Sequence, residues 1–339
     1  MQATEQIAIL EDVQLSAKRI FDLISPELAL VEAEFERQAR SNIQVIAYIG
    51  DYLRRSGGKR VRPALTILSD YSVGGNGANY SSIRMATVME FLHTATLVHD
   101  DVIDKAETRR NRPSINSEFG NQTAVLMGDW LYMSAFETSL AERSLPILDI
   151  LTAVTRKMTE GELLQLTLLG RTDISEEQYF DVIARKTAYL FSACCEIGAL
   201  LGGADVRTRN MLRDYGMNLG IAFQLIDDLL DFVGSEEVLG KPAGADLLEG
   251  KVSLPLIFLL QRERGWQTDV QRIIAEGNYE STPRASLLEA LKQSGALRLA
   301  QDRAIEYAEA ARASLDGLEN SAYADALCAI PAYIVDRDR

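Results

Sequence analysis

Asp100-Asp101-Val102-Ile103-Asp104 recurs 127 residues later as Asp227-Asp228-Leu229-Leu230-Asp231. In each copy the first and last carboxylates stand four residues apart, so a helix stacks them on one face with about 6 Å between Cβ atoms. Carboxylates stacked that closely repel, and either one of them takes up a proton or a cation sits between them. Carboxylate oxygen suits hard divalent ions, and Mg²⁺ in particular keeps coordination positions that phosphate oxygens can fill. One such pentapeptide alone reads equally as a solvated acidic face. Two copies, both preceded by apolar residues, point to paired metal sites with a diphosphate as the natural guest.

The cations answer this pattern. Arg54, Arg55, Lys59, Arg60 and Arg62 place five positive charges within nine residues of a chain whose formal net charge is −14. Gly57 and Gly58 between them let backbone amides approach an anion closely. Arginine forks onto phosphate oxygens and lysine adds a point charge. The P-loop pattern G-x-x-x-x-G-K-[ST] is missing, so this is not a nucleotide cradle of that type. Arg109, Arg110 and Arg112 follow the first acidic copy at once, and Lys241 and Lys251 flank Gly244 and Asp246 after the second. Lys186 and Thr187 fall mid-helix among apolar neighbours. His93 and His99 lack the i, i+4 spacing of a helical zinc pair; His93 lies near the face of Asp100, whereas His99 reads as a satisfied core histidine or as a support behind the residues that touch a ligand. Neither a G-x-S-x-G nor a Cys-His pairing offers a covalent nucleophile.

These side chains need rigid elements behind them, and the apolar spacing supplies helices. Met85, Val88, Leu92 and Ala95 recur at three and four residues, as do Phe180, Ile183, Leu190, Cys194, Ile197 and Leu201. No proline lies between Pro146 and Pro242, and no alternating β-branched run reads as a hairpin. The fold class is therefore all-α. The acidic copies should close two long helices, roughly Ser82 to Glu107 and Arg209 to Phe232, where the negative end of each macrodipole disfavours acids. Other helices start near Pro63 and near Ser175. Breaks at 72–80, 111–113, 170–175 and 235–250 are short, so residues 1–339 read as a single domain.

The acidic balance, with an isoelectric point near 4.8, argues against sequence-independent nucleic-acid binding. Cys194, Cys195 and Cys328 form neither a metal spacing nor an even disulfide framework, which fits a reducing cytoplasm. No apolar run approaches the length of a transmembrane segment, and the acidic start is the wrong charge for a signal peptide.

With these residues in place the chain resembles the trans-polyprenyl diphosphate synthases over nearly its whole length. The matching segments are Gly57 to Pro63, Glu90 to Asp104, Arg109-Arg110, Lys186-Thr187, Phe223 to Asp228, Leu239 to Pro242, Asp246, and Gly250-Lys251. The resemblance implies the isoprenoid synthase fold, a helical bundle around a central cavity, usually a homodimer, with the two acidic motifs facing one another around magnesium. It implies that Lys59, Arg62, His93 and Arg110 hold the diphosphate of isopentenyl diphosphate. Arg109, Lys186, Lys241 and Lys251 would join Mg²⁺ on an allylic diphosphate such as farnesyl diphosphate. Asp100, Asp104 and Asp227 would be the principal metal ligands, with Asp101, Asp228 and Asp231 supporting. Thr187 and Gln224 would turn oxygens toward developing positive charge, so Lys186, Thr187 and Gln224 form the catalytic set. Asn111 departs from the glycine that relatives commonly carry after the paired arginines.

Product length is read from Ala95 and Thr96, the fifth and fourth residues before Asp100. Related short-chain enzymes place bulky aromatics near these positions, and a helix rises about 5.4 Å per turn, close to one isoprene unit. Small residues there, in a string similar to octaprenyl and solanesyl synthases, imply a long product. A geranylgeranyl or farnesyl synthase and a non-catalytic subunit of a heteromeric synthase are the alternatives, although such subunits usually lack one acidic motif. The greasy product leaves transient membrane contact open, without a basic amphipathic anchor.

Overall fold

Helix caps fall where local chemistry requires them. Ser175 accepts from the Gln178 amide while Gln178 reaches back to the Ser175 amide, a complete capping box, and Asp205 caps the helix that carries the second acidic copy. The computed structural model describes residues 18–40, 43, 46, 50, 60–76, 80–109, 112–234 and 243–336. The helices of its first half are α1 (Ser25–Gln38), α2 (Val61–Ser72), α3 (Ser81–Ile103), α4 (Ile115–Phe119), α5 (Asn121–Ser139) and α6 (Leu145–Leu168). Then follow α7 (Glu176–Ile183), α8 (Tyr189–Leu201), α9 (Val206–Val233), α10 (Ala245–Leu248) and α11 (Leu254–Arg262). The chain continues through α12 (Gln267–Glu276), α13 (Arg284–Gln293), α14 (Ala296–Ala313) and α15 (Ala322–Val335).

The all-α expectation holds, with two local differences. A two-residue antiparallel ribbon pairs Thr108–Arg109 with Arg112–Pro113, β1 with β2. It is too short to leave an alternating pattern, so nothing in the sequence announced it. The helix expected to run unbroken from Phe180 to Leu201 instead widens into a π turn at Ala184–Ala188, between α7 and α8. Such turns insert an extra residue into the helical ladder and re-aim the side chains they carry, and here they carry Lys186 and Thr187. Two glycines let neighbouring helices press on this turn. A Cβ at Gly161 of α6 would lie 2.9 Å from the Lys186 amide nitrogen, and one at Gly220 of α9 would lie 2.5 Å from Ala188 Cα.

Helix α3 is the central element, packed along α5 and also against α1 and α2, while α9 packs on α8 and α14. Met85, Val88, Met89, Phe91 and Leu92 are all fully buried, so α3 is covered around its circumference. Burying each such side chain contributes roughly 1.5–3 kcal/mol, which holds the helix and the acidic residues at its end in place. α3 stops at Ile103, earlier than the expected Glu107, because Lys105 takes a left-handed φ of 54°. Both acidic copies thus lie in the final turns of long helices, α3 and α9. No helix among the described residues is long and apolar enough to cross a membrane.

Candidate active site

The ends of α3 and α9 open on one cavity of about 710 Å³. Asp100 of the first acidic copy and Asp227 of the second both line it. Arg62 at the start of α2, His93 on α3 and Arg109 on β1 stand in the same wall, as do Lys186 and Thr187 of the π turn and Gln224 of α9. Lys251 donates to Asp104 at 2.9 Å, joining the segment after the second copy to the end of the first. Lys186 stands 3.7 Å from Asp100. One carboxylate of each acidic copy therefore opens on the same cavity, with Lys186 beside the first. Lys59, Arg110 and Lys241 lie outside the described residues.

Other members of the expected set have different surroundings. Asp101 is buried and receives Arg109 Nε at 2.6 Å. Asp228 accepts from Tyr179 and from Gln224, and Asp231 is buried with its Oδ2 accepting the Asp246 amide at 3.4 Å while its carbonyl accepts the Gly244 amide at 2.7 Å. Thr96 lines the cavity and donates its hydroxyl to the His93 carbonyl, whereas Ala95 is fully buried and is not one of the lining residues. His99 lines the cavity and is partnered there, with Nε2 3.1 Å from the Val125 carbonyl and its ring stacked on Tyr132.

A family model for polyprenyl synthetase matches residues 43–291. The chain is 38% identical over 325 residues to the octaprenyl diphosphate synthase of Escherichia coli (strain K12), covering 96% of this chain and all of that one. It is 35% identical to the all-trans-nonaprenyl-diphosphate synthase (geranyl-diphosphate specific) of Rhodobacter capsulatus, covering 93% of this chain and 97% of the relative. A crystal structure of a polyprenyl synthase from Caulobacter crescentus CB15, complexed with calcium and isoprenyl diphosphate, superposes with a TM-score of 0.90 at 35% identity, covering 95% of this chain and 98% of that one. The chain belongs to the polyprenyl synthetase family. It is a prenyltransferase with the isoprenoid synthase fold, and its substrates are isoprenyl diphosphates. Relatives with short-chain and geranylgeranyl names match as well, so family membership leaves product length undecided.

The electrostatics of this polyprenyl synthetase suit a cation. Burial pushes the Asp100 carboxyl up to about 6; Lys186 opposes that rise, while Glu162 and Asp104 add to it. Asp101 is also raised by burial, with Arg109 opposing. Burial works against the charge of Lys251, yet Asp104 and Glu249 outweigh it and hold the ammonium protonated. Among the described residues no three potential ligands converge on one point. The donor set nevertheless fits a hard divalent ion, because Asp100, Asp104 and Asp227 offer carboxylate oxygens that a substrate diphosphate would supplement.

Three residues at this site were missed by sequence reasoning. Glu162 on α6 lines the cavity and receives Lys186 at 2.6 Å, holding that ammonium beside Asp100. Arg60, counted only as part of a basic run, is directed inward: its guanidinium binds both Glu32 of α1 and Glu90 of α3, which anchors the start of α2 and leaves Arg62 to the cavity. Tyr179 lies behind the wall at Asp228. An isolated glutamate or tyrosine in a helical pattern carries no signal of its own; the Gly161-Glu162 step, with its close helix approach, is the nearest hint.

Proposed function

We propose that this chain is a Mg²⁺-dependent, long-chain all-trans polyprenyl diphosphate synthase of the octaprenyl or nonaprenyl class. It adds isopentenyl diphosphate head-to-tail to an allylic diphosphate such as farnesyl diphosphate. The observation that carries this reading is the single cavity in which Asp100 and Asp227 meet Arg62, His93, Arg109 and Lys186. Arg62 and His93, with Lys59 and Arg110, take the diphosphate of isopentenyl diphosphate. Arg109, Lys186 and Lys251, with Lys241, take the allylic diphosphate. Asp100, Asp104 and Asp227 would hold Mg²⁺, which would supply further neutralisation of the leaving diphosphate.

The allylic C1–O bond breaks heterolytically and the electron pair leaves with diphosphate, whose charge the arginines and lysines spread. Thr187 and Gln224 turn oxygens toward the allylic cation, and Leu97, Ile103 and Phe223 of the lining exclude water from it. The double bond of isopentenyl diphosphate attacks C1, forming the new C–C bond and a tertiary cation. That cation loses a proton from C2, with the released diphosphate as acceptor, and a new allylic diphosphate results. No protein nucleophile is required.

A small Thr96 in the wall supports repeated addition. A shorter product is favoured by a different observation: Tyr132 and Met158 also stand in the wall, while Ala95 does not. The chain acts as a single domain, in the cytoplasm, and as a homodimer; exposed Leu126 and Met133 of α5 and Leu163 of α6 are the apolar surface that a second copy would cover. Incubation with farnesyl diphosphate, isopentenyl diphosphate and MgCl₂, followed by sizing of the lipid, tests the whole reading. Products of eight or nine isoprene units are expected. Accumulation of geranylgeranyl diphosphate would select the shorter alternative, and no lipid at all would remove the synthase reading.

A further inference from the structure

Three hydrogen bonds run inward from the cavity wall. Thr187 Oγ1 donates to Gln224 Oε1 at 2.7 Å, Gln224 Nε2 donates to Asp228 Oδ1 at 2.8 Å, and Tyr179 Oη donates to Asp228 Oδ2 at 2.6 Å. Thr187 and Gln224 line the cavity, whereas Asp228 and Tyr179 are 7% and 6% exposed and lie behind it. The network dictates which way the amide points. Both Asp228 oxygens accept, one from the Tyr179 hydroxyl and one from the Gln224 NH₂, which leaves the Gln224 carbonyl facing Thr187. The Thr187 proton is then committed to Gln224, and the lone pairs of the hydroxyl are left for the cavity.

We propose that Tyr179 is a positioning residue for the reaction: with Asp228 it locks the Gln224 amide, so that Thr187 and Gln224 present oxygen instead of N–H or O–H to the allylic positive charge. The inference rests on the prenyl-transfer reading above. Without the tyrosine hydroxyl, one oxygen of a buried carboxylate loses its donor, and the amide is free to turn an N–H toward the cavity. A dipole pointing the wrong way opposes a cation in a water-poor site. The middle aspartate of the second acidic copy thereby serves an amide and not a metal ion, and the tyrosine that fixes it lies one turn ahead of the π turn bearing Thr187.

Tyr179→Phe removes only the hydroxyl and is the first variant to measure, with Asp228→Asn and the double variant beside it. For Tyr179→Phe, kcat falls on the order of tenfold to a hundredfold, the scale of one hydrogen bond to a charged group. KM for both substrates stays within about threefold, because ground-state binding is untouched. Affinity for inorganic diphosphate with Mg²⁺, measured by calorimetry, is unchanged. The double variant is no more than about threefold slower than the slower single one, since both act on one amide. The relay is overturned if Tyr179→Phe keeps wild-type kcat, if the two losses multiply, or if KM and diphosphate affinity weaken in step with kcat. Should Tyr179→Phe fail to fold, Asp228→Asn decides alone by the same split between kcat and KM. A wild-type protein that makes no prenyl product would fail the synthase reading itself; an active wild type with a fully active Tyr179→Phe fails only the relay.

Discussion

The two acidic pentapeptides have the same spacing and end two long helices, yet their surroundings differ. At the first copy the partners are charged: Lys186 beside Asp100, Arg109 on Asp101 and Lys251 on Asp104. At the second copy the middle residue, Asp228, is held by two uncharged donors, Tyr179 and Gln224. Burial raises Asp100 to about 6 and Asp228 to about 7, and the higher value belongs to the group without a cation at its side. Identical local spacing therefore supports two kinds of work. At the first copy the carboxylates are met by cations, while at the second the middle carboxylate is held by neutral dipoles.

The largest effect should come from the face that meets cations. Asp100→Ala is expected to lose about 3 kcal/mol or more of transition-state stabilisation, roughly a hundredfold or greater in kcat, by analogy with removal of a preorganised electrostatic group. Turnover near wild type in excess magnesium would end the distinction between the two copies.

Lys251→Met comes next. It removes the ammonium that spans Asp104 and the second-copy loop, and we expect kcat/KM for the allylic substrate to fall on the order of tenfold while the KM for isopentenyl diphosphate changes little. Equal losses for both substrates would mean that the two diphosphate subsites are not separate.

A smaller effect concerns pH. Both aspartates have folded-state values above the ordinary carboxylate range near 4. Their contribution to stability is thus fully present below about pH 4 and is lost as pH rises through about 6 and 7. The metal-free protein should therefore melt a few degrees higher at pH 5.5 than at pH 8, with differential scanning fluorimetry as the readout. Added Mg²⁺ should raise Tm more at pH 8, where Asp100 is ionised and no longer bound to a proton that competes with the metal. A magnesium shift that is larger at the lower pH would contradict carboxylate ligation at the first copy.

Thr96→Phe should leave turnover nearly intact and shorten the lipid, because Thr96 lines the cavity one turn before Asp100 and an aromatic ring there narrows it. Product sizing by chromatography checks this. An unchanged product would place the limit on length elsewhere in the wall, with Tyr132 and Met158 as the next residues to test.

Much of the molecule was readable from the chain. The helices, the capping at Ser175, the acidic ends of α3 and α9, and the cations grouped near them follow from interactions within four residues, which spacing alone records. The π turn at 184–188 did not follow, because it depends on α6 and α9 approaching through Gly161 and Gly220. Nor did the contacts that complete the site. Lys251 reaches Asp104 across 147 residues, Tyr179 reaches Asp228 across 49, and Glu162 meets Lys186 only because α6 packs on the π turn. Residue type and short-range period say which groups are available and which helical face they share. The direction in which each carboxylate is then satisfied is set by burial and by partners brought from distant segments, and a single sequence holds no record of those distances.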